Sequence, residues 1–326
     1  MMDISIPYYE DMTRISNSNI GWFLKKGPSY LHDMLTGKAE GDKGPQLARG
    51  TMIHEYLLQP SEFNKDYVLW DKPTPSSAQQ QKFCEELANT TEIEPNIAII
   101  SAYKASYRTT GKSDDKILLE GSKIASELTD YISSIRERDE RIKISPYQLK
   151  QLQEIKANID SHKLASKLLK DEYIGTEDEL HHEFHINWEF QDVKCKSLLD
   201  SAHFDFKNKI CTLMDLKTTS HIGSFQDSMK DFDYLRQLCY YKMALLWYIT
   251  NELKDTSEWT FKFYIIAIDT TGRNEIRVFE FTDDQVSSRS TTIVNALNEI
   301  AWHQTTGQWE HHKAYYDGDG AEKLSL

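Results

Sequence analysis

Cysteine is scarce and scattered. Cys84, Cys195, Cys211 and Cys239 are the four in the chain, with no CxxC pair and no zinc or iron–sulfur spacing, so reduced thiols are expected rather than disulfides or a cluster. Long apolar runs are missing too: no window approaches the roughly 20 residues needed to cross a bilayer. Met1 to Tyr9 holds no basic stretch followed by an apolar run, so no signal peptide is expected. Positive charge is in deficit. Lysine and arginine total 38 against 51 aspartates and glutamates, a net charge of −13, which counts against holding nucleic acid by broad phosphate neutralisation. Local basic groups remain at Lys25-Lys26, Lys194/Lys196, Lys207/Lys209 and Arg136 to Lys143, and bound divalent cations would offset acids at a site. A nucleophile elbow and a phosphate loop are both absent, which leaves a small-molecule hydrolase without support. There is no internal repeat or low-complexity segment. What is present, 39% hydrophobic and 27% charged residues over 326 positions, fits a soluble globular chain of one large domain or two modest ones.

The most informative stretch is Asp215-Leu216-Lys217-Thr218-Thr219. It closes a strand-like run, Ile210 to Met214, and in a strand residues two apart share a face, so Asp215 and Lys217 point the same way. Asp200 lies on the preceding run, Lys194 to Phe206, across a turn candidate at Lys207-Asn208-Lys209. Three registers are open. Pairing 206 with 209 sets Asp200 opposite Asp215; pairing 206 with 210 sets it opposite Leu216; pairing 207 with 210 sets it opposite Lys217. All three bring Asp200 near the pair, although a one-residue slip turns it to the other face. Two acids, a lysine and a divalent metal form a minimal kit for phosphodiester hydrolysis.

Around this hairpin the pattern reads as mixed α/β. Ile15 to Asn19 offers N-caps for a short helix that Gly27-Pro28 ends. Pro45 to Leu58 reads as a second helix, carrying His54 and stopped by Pro60. The pattern over 76–120 is weak. Helices are predicted over 123–138 and about 147–170, forming a helical insertion at 121–175. Strands follow at His181 to Phe190, Lys194 to Phe206 and Ile210 to Lys217, then a helix over 223–250, strands at Trp259 to Asp269 and Glu275 to Phe281, and a helix from the Thr282-Asp283 cap to Trp302. The predicted organisation is one domain over 1–326: an N-terminal helical part at 15–120, the insertion, a core at 180–305 and a polar tail at 307–326.

The order of these motifs resembles the PD-(D/E)XK nuclease superfamily. Within it, the pattern is similar to RecE-type exonucleases (exodeoxyribonuclease VIII), relatives of lambda exonuclease and the RecB nuclease domain. The resemblance rests on Ile15-Ser16-Asn17-Ser18 with Gly27-Pro28-Ser29-Tyr30, on Arg49-Gly50-Thr51-Met52-Ile53-His54 with Leu57-Leu58-Gln59-Pro60, and on Glu183 followed by Lys196-Ser197-Leu198-Leu199-Asp200. Asp215-Leu216-Lys217-Thr218-Thr219 and the Gln237/Tyr241 pair complete it, so it runs from about residue 15 to 250. Ser197 stands where the family usually has glycine. The resemblance implies a restriction-endonuclease-like α/β core, a mixed central sheet flanked by helices, with N-terminal helices and a helical insertion. It implies a metal-dependent 5′-to-3′ exodeoxyribonuclease on duplex DNA ends, feeding a single-strand-annealing recombinase in a phage or prophage setting. A homo-oligomer, a cytoplasmic location in a bacterial or phage-infected cell and no membrane contact go with it.

By the same resemblance, two Mg2+ or Mn2+ ions about 4 Å apart would be held by Asp200, Asp215, the Leu216 carbonyl and His54, the imidazole favouring manganese. No iron–sulfur cluster is expected. Lys217 would orient or activate the attacking water, Glu183 would order a metal-bound water, and Gln237, Tyr241 and Thr218 would position substrate or Lys217. Each role has a plainer reading. His54 is also a candidate core histidine, Glu183 an edge-strand carboxylate, and Gln237 and Tyr241 ordinary helix packing. Adjacent histidines at His181-His182 and His311-His312 point apart in a strand and make a poor zinc site. Trp302, Trp309, Tyr315 and Tyr316 are expected to serve packing or an oligomer contact rather than base stacking. Rival readings are a structure-specific or single-strand nuclease on the same fold and a non-catalytic DNA-binding module.

Overall fold

The computed structural model describes residues 6–41, 44–170, 178–318 and 320. Along the chain run α1 (Asn17–Leu35), α2 (Pro45–Leu58), α3 (Pro60–Asp66), β1 (Tyr67–Leu69), α4 (Ala78–Asn89), α5 (Pro95–Ser106), α6 (Asp114–Glu127), α7 (Thr129–Arg136), β2 (Ile142–Ile144) and α8 (Pro146–Ser161). There follow α9 (Lys163–Leu169), β3 (Glu179–Phe190), β4 (Val193–Asp205), β5 (Ile210–Thr219), α10 (Phe225–Asp231), α11 (Tyr234–Asn251), β6 (Thr260–Asp269), β7 (Ile276–Phe281), α12 (Asp283–Ser287), α13 (Ser290–Thr306) and α14 (Lys313–Asp317). They form two compact units, one of Met1–Pro60 with Gln151–Leu326 and one of Ser61–Lys150. The helical insertion read over 121–175 shares residues 121–150 with the second unit, and its residues 171–175 lie outside the described residues.

The first unit is built on a five-stranded mixed sheet in the order β3-β4-β5-β6-β7, with β5 and β6 parallel and the other neighbours antiparallel. β6 is the apolar spine: Phe263, Ile265, Ile266, Ala267 and Ile268 are fully buried. α11 packs on β3 and β4 and meets α1 and α13. Trp188, Phe204, Tyr240 and Leu245 fill the space between, each large side chain contributing on the order of 1.5–3 kcal/mol by leaving water. Ser197, at the position where the resemblance expects glycine, is fully buried and accepts a hydrogen bond from Trp188 Nε1 at 3.1 Å. The hydroxyl thus gives a buried indole the partner it needs.

The hairpin adopts the first of the three open registers. Asp205 pairs with Ile210 and Ser201 with Met214, so Asp200 and Asp215 each lie one residue past the last pair of this register. The Asp205 carboxylate accepts the Asn208 amide at 2.9 Å, and Lys209 closes the turn with φ 54°. Beyond Ser201 the ladder between β4 and β5 ends, and Ile15 bridges β4 at Cys195 instead. The sheet therefore forks where the two aspartates stand.

Several helices break where periodicity alone reads one helix. The first helical segment does end at Gly27, whose non-helical φ of 84° is open to glycine, and a second segment starts at Pro28 across this kink within α1. The stretch 123–138 divides at Leu128, and 147–170 divides at His162, whose Nδ1 accepts the Ala165 amide at 3.2 Å. The 223–250 stretch divides before Tyr234 at left-handed Asp233. Apolar spacing continues across each break, so only the caps reveal it. Where a cap is strong the reading agrees: Ser16 with Asn19 and Thr282 with Gln285 form capping boxes.

The second unit has its own core of Phe83, Cys84, Leu87, Ala102, Tyr103, Ile117, Leu128 and Ile132 from α4 to α7, beside a parallel β1-β2 pair. The weakly patterned 76–120 stretch supplies α4, α5 and the start of α6.

Candidate metal centre

Three strands each bring one acid to the same level. His182 pairs with Ser201 and Phe184 with Leu199, which leaves Glu183 and Asp200 between them, and Asp215 lies one residue past the last β4–β5 pair, at the fork. Glu183 breaks the regular pleat: its φ is 48°, in the left-handed region where a non-glycine residue is strained. Its effect is visible in its neighbours. His181 and Phe184 are three residues apart, yet their rings stack at 4.5 Å, which alternation along an unbroken strand does not permit.

α2 supplies the imidazole. His54 Nδ1 lies 3.6 Å from Asp200 Oδ1. The helix reaches this close to β5 because residue 50 has no side chain: a Cβ there would sit 3.3 Å from Thr218 Oγ1. That is a physical reason for glycine four residues before the histidine. Asp200 Oδ2 accepts the Leu216 amide at 2.6 Å. Asp215 is 1% exposed; its Oδ2 forms an ion pair with Lys217, without hydrogen-bond geometry, and its Oδ1 meets no donor among the described residues.

The charges are under tension. Burial first, then Asp200, raises Glu183 to about 7, and Glu55 and Asp215 add to this while His54 opposes it. Burial also raises Asp215 to about 6; Lys217 opposes the shift and Asp200 adds to it. Burial works against ionised Asp200, but His54, Lys217 and the Leu216 amide outweigh it and hold its pKa down. For His54 burial again opposes the charge, and Asp200 prevails to raise the pKa. Such a group asks for a cation. Ligand atoms of His54, Glu183 and Asp200 all lie within 4.8 Å of one another, and Asp215 offers a buried oxygen without a donor beside them. A nitrogen and several carboxylate oxygens suit a divalent ion of the manganese or magnesium kind.

The remaining sequence candidates gather at one cleft of about 560 Å³, lined by Leu216, Lys217, Thr218, Gln237 and Tyr241 as well as His54, Glu183 and Asp200. Gln237 Nε2 donates to the Tyr241 hydroxyl at 2.9 Å, as their i, i+4 spacing allows. The histidine pairs lie apart from this cleft: His181 bonds Glu179 and His312 bonds Glu299. Trp309 stacks on His32 and His303, so it packs rather than lining this cleft. Sequence reasoning missed Tyr234, whose ring carries the Lys217 ammonium at 5.1 Å, and Glu55, Tyr8 and Tyr9, which also line the cleft. Adjacency to His54 could have flagged Glu55; nothing in the sequence marks Tyr8 or Tyr9.

Comparisons with known proteins identify the family and the fold. The family model described as a PDDEXK-like domain of unknown function (DUF3799) matches residues 16–315. Among solved structures, the chain is similar to a crystal structure from Eubacterium rectale, of a protein named for an inferred exonuclease activity. The TM-score is 0.50 at 12% identity, covering 100% of this chain and 96% of that one, a likeness of fold. No curated protein matches the chain.

Proposed function

Because the chain belongs to this PDDEXK-like family, we propose that it is a metal-dependent nuclease that hydrolyses phosphodiester bonds in DNA. The observation that carries the reading is the convergence of Glu183, Asp200 and Asp215 from three adjacent strands with His54 and Lys217. His54, Glu183, Asp200 and Asp215 would hold the divalent metal, which when bound supplies Lewis acidity toward phosphoryl oxygen and water. The chain supplies the rest. Lys217 sets an ammonium beside Asp215, where it can orient the attacking water and offset charge on the phosphoryl oxygens in the transition state. Tyr234 braces that ammonium from its other side. Gln237 and Tyr241, bonded to each other, give the cleft a fixed polar wall for the substrate strand.

The finer reading is a RecE-type enzyme digesting duplex ends 5′ to 3′, assembled as an oligomer and handing single strands to an annealing recombinase. It is supported by the chain's motif order. The test is hydrolysis of end-labelled linear duplex with Mg2+ or Mn2+ by the wild type, Asp215→Ala and Lys217→Ala. Loss in both variants is expected; equal cleavage by all three proteins would remove this site from the chemistry. A closed circular duplex separates end-dependent from internal cutting.

A further inference from the structure

The cleft is poor in the charge that usually holds nucleic acid. Among its described lining residues Lys217 is the one lysine or arginine, and the chain as a whole carries −13. Three other basic groups are engaged elsewhere. Lys196 is 5% exposed and donates to the Tyr8 and Asp11 carbonyls at 2.6 and 2.5 Å; Lys25 donates to the Asp231 carbonyl, and Lys209 pairs with Asp255. Phosphate neutralisation therefore has little to work with. Within the cleft, another part of the nucleotide has to supply contacts.

The mouth of the cleft offers one. Tyr9 is 81% exposed, yet it lines the same cleft as the acids. Its chain neighbour Tyr8 is anchored. Tyr8 meets it edge-on at 5.1 Å, His185 meets Tyr8 edge-on at 5.4 Å, and the Lys196 ammonium lies 4.7 Å over the Tyr8 ring. Lys196 stands on β4, four residues before Asp200, so its two carbonyl bonds tie the Tyr8–Asp11 segment to the strand that carries a metal-binding acid. An aromatic face left open to solvent, next to an anchored Tyr8 and beside the proposed phosphodiester site, fits the flat face of a nucleobase.

We propose that Tyr9 is a stacking platform for an exposed nucleobase next to the scissile phosphate, so that this cleft selects DNA termini or unpaired stretches by base face rather than by backbone charge. The proposal rests on the nuclease reading above. Lys196 is a positioning residue in it, since it touches the Tyr8–Asp11 segment and not the substrate.

The test uses the full chain, Ca2+ in place of the supporting metal, and linear duplexes carrying 2-aminopurine at the terminal position. Wild type and Tyr9→Phe quench the fluorophore on binding, Tyr9→Trp quenches it at least as strongly, and Tyr9→Ala does not. Hydrolysis is then measured on matched duplexes with an intact or an abasic terminal nucleotide. Tyr9→Ala raises KM on the intact end by roughly 5- to 150-fold, the range expected for one base–aromatic stack. The abasic end costs the wild type a similar factor, and the two losses do not add. Tyr9→Phe, which keeps the ring, restores the KM that Tyr9→Ala loses. An equal loss for Tyr9→Ala on both ends, or none on the intact end, overturns the proposal. Wild-type hydrolysis without quenching overturns the stacking and leaves the nuclease standing. Quenching without hydrolysis by any metal overturns the nuclease and keeps the stack.

Discussion

Two carboxylate–imidazole groups in the first unit make opposite use of the same chemistry. At Glu299, one carboxylate oxygen accepts His312 Nδ1 at 2.9 Å and the Lys313 amide at 2.8 Å, with His303 Nε2 at 3.6 Å. Burial opposes the charge there, but His303, the Lys313 amide and His312 together bring the pKa down to about 2. At the sheet fork, Glu183 and Asp215 are pushed up, to about 7 and about 6, and a buried Asp215 oxygen meets no donor among the described residues. A carboxylate whose bonds are supplied by protein is a fastener. Carboxylates crowded together with bonds to spare mark a place for something the chain does not contain.

The sharpest way to break this contrast is catalytic. Lys217→Ala or Asp200→Ala is expected to lower phosphodiester hydrolysis by roughly 100- to 1,000-fold or more, while Glu299→Gln keeps it within about threefold of wild type; end-labelled duplex on a gel reads both. Comparable losses at the two sites would erase the distinction. Metal comes next. Mn2+ at about 100 times its Kd should stabilise the wild type by about 2.7 kcal/mol, seen as a rise in Tm that a chelator reverses. Asp200→Ala should lose most of that rise and Glu299→Gln none of it.

Acid sensitivity sharpens the comparison further, with opposite signs in the metal-free protein. Glu299 has a folded pKa below its unfolded value near 4.5, so its stabilisation is present above pH 4.5 and is lost as pH falls toward about 2. Glu183 has a folded pKa above that value, so its contribution is most favourable below pH 4.5 and declines as pH rises through about 7. Urea unfolding of wild type, Glu299→Gln and Glu183→Gln in chelator across pH 3 to 8 checks both signs. Glu299→Gln should be destabilising at neutral pH by about 1–3 kcal/mol. Glu183→Gln should be neutral or stabilising there, and Glu183→Gly more so, since it also frees the left-handed backbone.

The smallest effect expected is on salt dependence. With one lysine facing the cleft, log K for DNA should fall with log salt at a slope of about −1 to −2, counting roughly −0.9 for each phosphate neutralised. A slope several times steeper would mean a basic surface that this cleft does not provide.

Much of this was legible in the sequence, for reasons that particular residues make plain. The hairpin could be narrowed to three registers because turn length ties strand positions together, and Asn208 with Asp205 then chose among them through a side-chain bond that counting does not see. Strand positions were readable because β-branched and aromatic residues cluster there. Helix breaks at Leu128, His162 and Asp233 were not, since the apolar spacing continues across them and the stop is a matter of single dihedrals. In the candidate site, His54, Asp200, Asp215 and Lys217 could be named because motif spacing carries them. Tyr9 could not: it reaches the cleft through a tertiary tie from Lys196, 187 residues away by numbering. The left-handed backbone at Glu183 was equally hidden, because a single dihedral leaves no mark on the strand pattern.

The most direct test of the central claim is an anomalous difference map from crystals soaked in manganese chloride. A peak is expected at the sheet fork, within bonding distance of Asp200 and at least two of His54, Glu183 and Asp215, and none at Glu299. A map empty at the fork, or with its manganese only between Glu299 and its histidines, would contradict it.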